Sequence, residues 1–382
     1  MAPMLTWGAW RAQAKAQLPP PTESFAGKTV LITGAKGVVC SEVARILIRL
    51  GVGTLVLAVR GIPEGPEGEP ALEALLGPSA DRSGTRVLVW PLDLLSFDSV
   101  KALAARATKE LPRLDVVLNG AARSSRDRQL TKEGWEYVHH QGVMVNHLAP
   151  ALLTLLLLPL LKKTADEHNT TTVAAEIASL GSRMSRSAMP TPPATPATDG
   201  TTAYLSAVNA KGDWVSRHQM YGITKLLFCH FLHELAAQLQ APNVQFHSAD
   251  FGVCKVQKGV NETFKSALPM MYLLGREPEM CANVVVNSCI AHEGAKQSFY
   301  VDYDAIGLPD FMADESGVRL QKVVWQETKA VLLKVSPKAY DQVLPKAGAS
   351  NAVSTEKQDN AGKAEAEVAG GALEESSTGV TA

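Results

Sequence analysis

The 382-residue chain is 46% apolar and 20% charged, enough to bury a sizeable core, and its formal net charge of -1 gives no basic field for nucleic acid or an anionic membrane. Its five cysteines (Cys40, Cys229, Cys254, Cys281 and Cys289) include no Cys-x-x-Cys pair and no His/Cys cluster at zinc spacing. That pattern argues against a disulfide framework or structural metal and for reduced thiols in a cytoplasmic setting.

Residues 1–24 are Ala-rich, end near Pro19-Pro20-Pro21 and lack the apolar stretch and cleavage site of a secretory signal, so they read as an extension. Over 25–344, apolar runs of strand length alternate with stretches of helical period. This is the pattern of repeated βαβ units, and it predicts an α/β, doubly wound parallel sheet in a single domain. Strands are expected at Lys28–Thr33, Thr54–Val59, Arg86–Trp90 and Asp115–Leu118, with a helix at Ser41–Leu50 after the first. Gly142–Leu161 reads as a long helix. Its apolar run, Leu148–Leu161, contains Pro150 and Pro159 and falls short of the roughly 20 residues a bilayer needs, so a core helix is expected and no membrane span. Further strands are expected at Val173–Ala178, Val244–Ala249 and Ser298–Val301, and a helix at Tyr221–Gln240. Ile62–Gly84 and Arg183–Gly200 are loops by their Gly, Pro, Ser and Thr content. Residues 345–382 have no aromatics and too little apolar surface to offset ordering entropy, which predicts a disordered tail.

The first strand runs into Thr33-Gly34-Ala35-Lys36-Gly37-Val38-Val39-Cys40 and then a helix. This layout sets a dinucleotide pyrophosphate on a helix N-terminus, although glycines after a strand also serve plain structural turns. Gly34, Lys36, Gly37 and Val38 are therefore the candidates on the phosphate side. Arg60 ends the second strand, where the adenosine ribose falls in such folds, and no acidic residue stands there to take a 2′-hydroxyl. That favours the 2′-phosphate of NADP. Lys36 offers a second cation, the alternative for both being solvated surface charge. Asp93 is a candidate acceptor for the adenine amino group, or a helix cap.

Tyr221-Gly222-Ile223-Thr224-Lys225 puts a phenol and an ammonium four residues apart on one helix face. A nearby cation favours the phenolate and makes the phenol useful for proton transfer. Ser179 follows the fifth strand at the sheet's carboxyl edge, where its hydroxyl could hold a substrate carbonyl oxygen. Asn146 lies in the preceding long helix, where its amide could bridge a water to Lys225 or be a satisfied surface group. No metal is required. Together these residues point to hydride transfer, with Tyr221 handling the oxygen's proton.

From about Pro21 to Leu333 the chain resembles the short-chain dehydrogenase/reductases, a Rossmann-fold family, and more narrowly the retinol-dehydrogenase-like branch and fungal enzymes of secondary-metabolite pathways. The resemblance rests on Ser24 to Gly34, Val59-Arg60, Leu92-Asp93-Leu94, Thr131 to Glu136, Val145-Asn146-His147-Leu148 and Tyr221 to Lys225. It implies a catalytic tetrad of Asn146, Ser179, Tyr221 and Lys225, with Ser182 as the alternative serine. It also implies cofactor contacts at Asn119, Gly252, Tyr221 and Lys225. The function implied is NADP-dependent hydride transfer to or from a carbonyl or alcohol of a small hydrophobic, polyketide-like metabolite. Substrate contacts are expected from Arg183–Met220 and Val256–Arg276, where Phe264, Leu268, Met270, Met271 and Tyr272 would cap a pocket or pack in the core. Homo-oligomers are common in the family, and the apolar faces carrying Leu152, Leu155 and Leu156, and Leu227, Phe231 and Leu235, suit either an interface or the core.

Three departures stand out. Of the family's Thr-Gly-x-x-x-Gly-x-Gly loop only Gly34 is in place: Gly37 is displaced by one, and Val38 and Cys40 stand where glycines would. A branched side chain at 38 faces the approach of a pyrophosphate, and Cys40 is expected to loosen helix against sheet. Asn119-Gly120-Ala121-Ala122 replaces Asn-Asn-Ala-Gly. Phe251-Gly252 replaces Pro-Gly, with Val256 where a Thr or Ser would bind the carboxamide. The altered loop motivates the alternative of a catalytically impaired relative, a binding or regulatory protein with weakened nucleotide binding.

Overall fold

A computed structural model of the chain describes residues 18–61, 76, 84–122, 142–179, 186–197, 199–210, 217–255, 273, 275–301, 304–306, 309–341 and 343. Residues 1–17, the tail at 345–382, most of the 62–84 loop, Ser182, Val256 and the pocket candidates from Phe264 to Tyr272 lie outside these.

Eight strands form one sheet: β1 (Thr29–Thr33), β2 (Thr54–Val59), β3 (Arg86–Pro91), β4 (Val116–Asn119), β5 (Thr172–Ile177), β6 (Val244–Asp250), β7 (Gln297–Val301) and β8 (Asp304–Ile306). Their order is β3-β2-β1-β4-β5-β6-β7-β8. Strands β1 to β7 pair in parallel, and β8 turns back antiparallel on β7. The six or seven parallel strands expected from the sequence are present, and the short β8 is an addition. Every residue of β1, β4, β5 and β6 is buried, because helices cover both faces of a parallel sheet. Strand order reverses between β1 and β4, which opens the crevice at their carboxyl ends where ligands of such sheets bind.

Helices α1 (Val38–Arg49), α2 (Phe97–Glu110), α3 (Ala149–Glu167), α4 (Ala203–Ala210), α5 (Arg217–Gln238), α6 (Pro278–Ser288), α7 (Asp310–Ala313) and α8 (Glu315–Val335) complete the described structure. On one face Val43 and Leu47 of α1 and Val285 and Val286 of α6 join Val30, Ile32, Leu55 and Leu57 in a single core. On the other face α3 packs with α2 and α5, and α8 lies across α5. The helix expected from Gly142 is not uniform: Met144–Leu148 is a π-helical turn, closed by the Ala149 N–H on the Met144 carbonyl, and runs on into α3. Met144–Glu167 is long and apolar enough to cross a bilayer, and it is almost wholly buried within the fold.

The apolar face of α5 is filled from within the chain. Phe231 stacks on Trp325 of α8 with ring centroids 5.4 Å apart. Gln321 donates to Glu234 at 2.6 Å, and His147 pairs with the Thr328 hydroxyl at 2.8 Å.

Three buried histidines make this packing sensitive to acid. Burial pushes His147 and His230 down to about 3 and His247 to about 4, the last partly offset by its hydrogen bond to the Ser288 carbonyl. An unfolded histidine titrates near 6.5, so as pH falls the unfolded chain takes up these protons first. Their stabilising contribution is complete above about pH 6.5 and is lost progressively below it. Stability should fall by about 4 kcal/mol per pH unit between about pH 6 and pH 4 from these three groups together, at about 1.4 kcal/mol each. Urea titrations at several pH values in that range check it, and a flat midpoint would contradict it.

Candidate active site

The turn from β1 into α1 has the features a dinucleotide needs. Gly34 sits at φ +73°, and a Cβ there would stand 2.6 Å from the Ala121 Cα, so side-chain-free backbone is required. Gly37 is the N-cap of α1 and makes no side-chain cap, and the first turn carries no acidic residue. The amide groups at that helix end are thus suited to an anion. Val38 is 40% exposed and points away from the core, so its side chain is not wedged into the fold. The exposed Lys36 donates its ammonium to the Arg60 carbonyl at 2.9 Å, bringing the two candidate cations to one place.

Cys40 does not loosen α1. Its side chain is 3% exposed, and a Cβ on Gly120 would lie 2.4 Å from its sulfur. Two of the departures noted in the sequence are therefore one compensated packing: sulfur fills the space that a side chain at 120 would take. The remaining candidates on this side act locally. Asp93 accepts the Leu95 N–H at 3.0 Å in a tight turn, and its own N–H donates to Ser99 Oγ at 2.9 Å. The Asn119 amide donates to Thr154 Oγ1 of α3 at 3.1 Å, while its backbone sits in the β4–β5 ladder opposite Glu176. Gly252 has φ +75° and donates its N–H to Asp250 at 2.7 Å, while Arg276 holds the Phe251 carbonyl at 2.8 Å.

The chemical end joins three elements. Asn146, in the π-helical turn, donates its amide to Thr224 Oγ1 at 3.0 Å, and that hydroxyl donates to the Tyr221 carbonyl at 3.0 Å. The expected link from Asn146 is to Lys225 through a water; in the structure its amide also bonds Thr224 directly, a residue with no motif signal of its own. A wide π turn is a frequent mark of a functional position. Ser179 lies just beyond β5, half-buried, next to Ala178, whose N–H donates to the Ala249 carbonyl at 2.8 Å. Tyr221 is half-buried, and Lys225, one turn on, is buried. Burial pushes the Tyr221 phenol up and the Lys225 charge pulls it back, while Asp250, Glu176 and Cys40 add to the upward push.

Lys225 has a partner that no sequence motif announces. Glu176, fully buried in β5, sets Oε2 3.5 Å from the Lys225 ammonium and accepts Ser248 Oγ on Oε1 at 2.9 Å. The Cys229 thiol, one turn beyond Lys225, also approaches this carboxylate, and burial together with that negative charge holds the thiol well above its ordinary value.

This doubly wound sheet carries a glycine turn at its switch point and a Tyr-x-x-x-Lys helix, the arrangement of dinucleotide-binding folds. A family model for short chain dehydrogenases matches residues 28–195. The short-chain dehydrogenase/reductase phmF of Phaeosphaeria nodorum is 27% identical over 324 residues, covering 82% of this chain and 89% of that protein. The short chain dehydrogenase/reductase dmxR8 of a Cryptosporiopsis species is 27% identical over 341 residues, covering 84% and 95%. Among solved structures, an uncharacterised protein of Mycobacterium paratuberculosis shares the fold with a TM-score of 0.52 and 22% identity, covering 81% of this chain and 96% of that one. The chain is thus similar over most of its length to short-chain dehydrogenase/reductases, a family of oxidoreductases that use a nicotinamide cofactor.

Proposed function

We propose that this protein is an NADP-dependent reductase or dehydrogenase acting on a carbonyl or alcohol of a small hydrophobic metabolite, in the cytoplasm and in a secondary-metabolite pathway. The observation that carries it is the convergence on Tyr221 of Asn146, through Thr224, and of Lys225, beside the carboxyl edge that Ser179 occupies. When bound, a nicotinamide dinucleotide supplies or accepts the hydride. Gly34, Gly37 and the open end of α1 would hold its pyrophosphate, Lys36 and Arg60 the adenosine 2′-phosphate, and Lys225 the nicotinamide ribose. The Tyr221 hydroxyl passes its proton to the substrate oxygen or takes it back, and the Ser179 hydroxyl fixes that oxygen. Asn146 anchors the turn of α5 that carries Tyr221 through Thr224, fixing the backbone from which the phenol projects. The five free, buried cysteines support a reducing, cytoplasmic setting. Phe264, Leu268, Met270, Met271 and Tyr272, outside the described residues, are the proposed apolar wall of the substrate pocket.

Cofactor choice is tested by titrating NADPH and NADH while following nicotinamide fluorescence. NADPH should bind the more tightly. Arg60→Glu should weaken NADPH by about 10- to 100-fold, since a charge-assisted contact of about 1.5–3 kcal/mol is lost and a repulsive one added. The same change should leave NADH within about threefold. Equal loss for both cofactors would remove Arg60 from the 2′-phosphate site, and no binding of either would overturn the enzymatic proposal.

A further inference from the structure

Glu176 is a charged residue on a strand whose every residue is buried, next to the ammonium that neighbours the proposed proton donor. Burying a carboxylate costs several kcal/mol unless it is paired and hydrogen-bonded. Here it has a hydrogen bond from Ser248, the approach of the Cys229 thiol and an ion pair with Lys225. At 3.5 Å the ammonium is held by charge rather than by a tight hydrogen bond, so its three donors are not used up on Glu176.

We propose that Glu176 is a positioning residue for proton transfer at Tyr221: its carboxylate anchors the Lys225 ammonium and offsets its charge, so that the phenol keeps its proton and meets a substrate carbonyl as an acid. The inference rests on Tyr221 being the proton donor. In the reducing direction the phenol O–H bond breaks, the proton goes to the substrate oxygen, and the carbonyl carbon gains a hydride from reduced nicotinamide. The phenolate left behind then faces Lys225 and is reprotonated from solvent.

Among the described residues, Lys225 on its own helix, Glu176 from β5, Asp250 from β6 and Cys40 from α1 act on the charge of the phenol. Burial pushes the Cys40 thiol up to about 12, so it is neutral at ordinary pH. Lys225 favours the phenolate, and Glu176, one of the two carboxylates that oppose it, is itself paired with Lys225. A lysine without this partner would draw the phenol toward ionisation near neutral pH and suit it to act as a base. With Glu176 in place, the same pair suits carbonyl reduction.

The test is Glu176→Gln, which keeps the shape and removes the charge. Ionisation of Tyr221 is read without cofactor or turnover, as the tyrosinate absorbance of each protein minus that of its Tyr221→Phe counterpart across a pH titration. The Gln variant should ionise at a pH lower by about one unit or more. The alkaline limb of kcat for carbonyl reduction should move down with it. Glu176→Asp, which keeps the charge, should restore both. A midpoint that is unmoved or higher in the Gln variant overturns the inference. Should Glu176→Gln not fold, Ser248→Ala, which keeps the carboxylate but removes its hydrogen bond, must leave the midpoint at or above that of the natural protein, and a fall overturns the inference equally. If instead Tyr221→Phe retains full turnover, the assignment of the proton donor fails, whatever the absorbance shows.

Discussion

Tyr221→Phe should bind NADPH within about threefold of the natural protein and reduce ketones or aldehydes about 10²- to 10⁴-fold more slowly, the range expected when a positioned proton donor is removed. The change deletes one oxygen from a half-buried ring whose helix is fixed independently, by Asn146 on Thr224 and by the packing of α8 on α5. Fold and cofactor site should therefore survive. The measurement is NADPH fluorescence together with NADPH consumption over a panel of aromatic and aliphatic carbonyl compounds. A kcat unchanged in the variant would take Tyr221 out of the mechanism. Because burial holds the phenol above its ordinary value, reduction should stay fast through neutral pH and decline only at alkaline pH.

Gly120→Ala should destabilise the fold by about 2–4 kcal/mol, since overpacking a closed core typically costs 1–3 kcal/mol and the contacts here are short. The added Cβ would sit 2.4 Å from Cys40 Sγ and 2.9 Å from the Thr33 carbonyl. Cys40→Gly removes the first clash and leaves the second, so the double variant should recover part of the loss, with a coupling of at least about 1 kcal/mol. Urea denaturation of the two single variants and the double closes the cycle. Strict additivity would show that the two positions do not share the space. The outcome matters for function because α1, which Cys40 anchors, carries the amide groups offered to the cofactor.

The sheet was legible because each parallel strand is a short apolar run, and because the alternation with helical segments leaves few other architectures. The Tyr221 and Lys225 pair was legible because helix geometry fixes the meaning of a four-residue spacing. Glu176 was not: in Thr-Val-Ala-Ala-Glu-Ile a lone carboxylate reads as an outward-facing residue, and only the register of β5 beside α5 brings it to Lys225. Cys40 and Gly120 were each visible as departures, but their compensation spans 80 positions and exists only in the folded packing. The three-residue β8 is too short to carry any pattern. Asp93, read from the sequence as an adenine contact or a helix cap, does not cap α2, whose N-cap is Ser96, and instead holds the Leu95 amide in a turn.

The wide turn at Met144–Leu148 accommodates one residue more than an α-helical turn would. Deleting a single residue there would let an ordinary helix close, with residues of the turn shifted by about 100° about the axis relative to α3. Asn146 would then swing off Thr224, and the turn of α5 around Tyr221 would lose its tether. A one-residue length change in this stretch should therefore silence the protein while leaving its circular dichroism almost untouched, a form of damage that no inspection of side-chain identities would reveal.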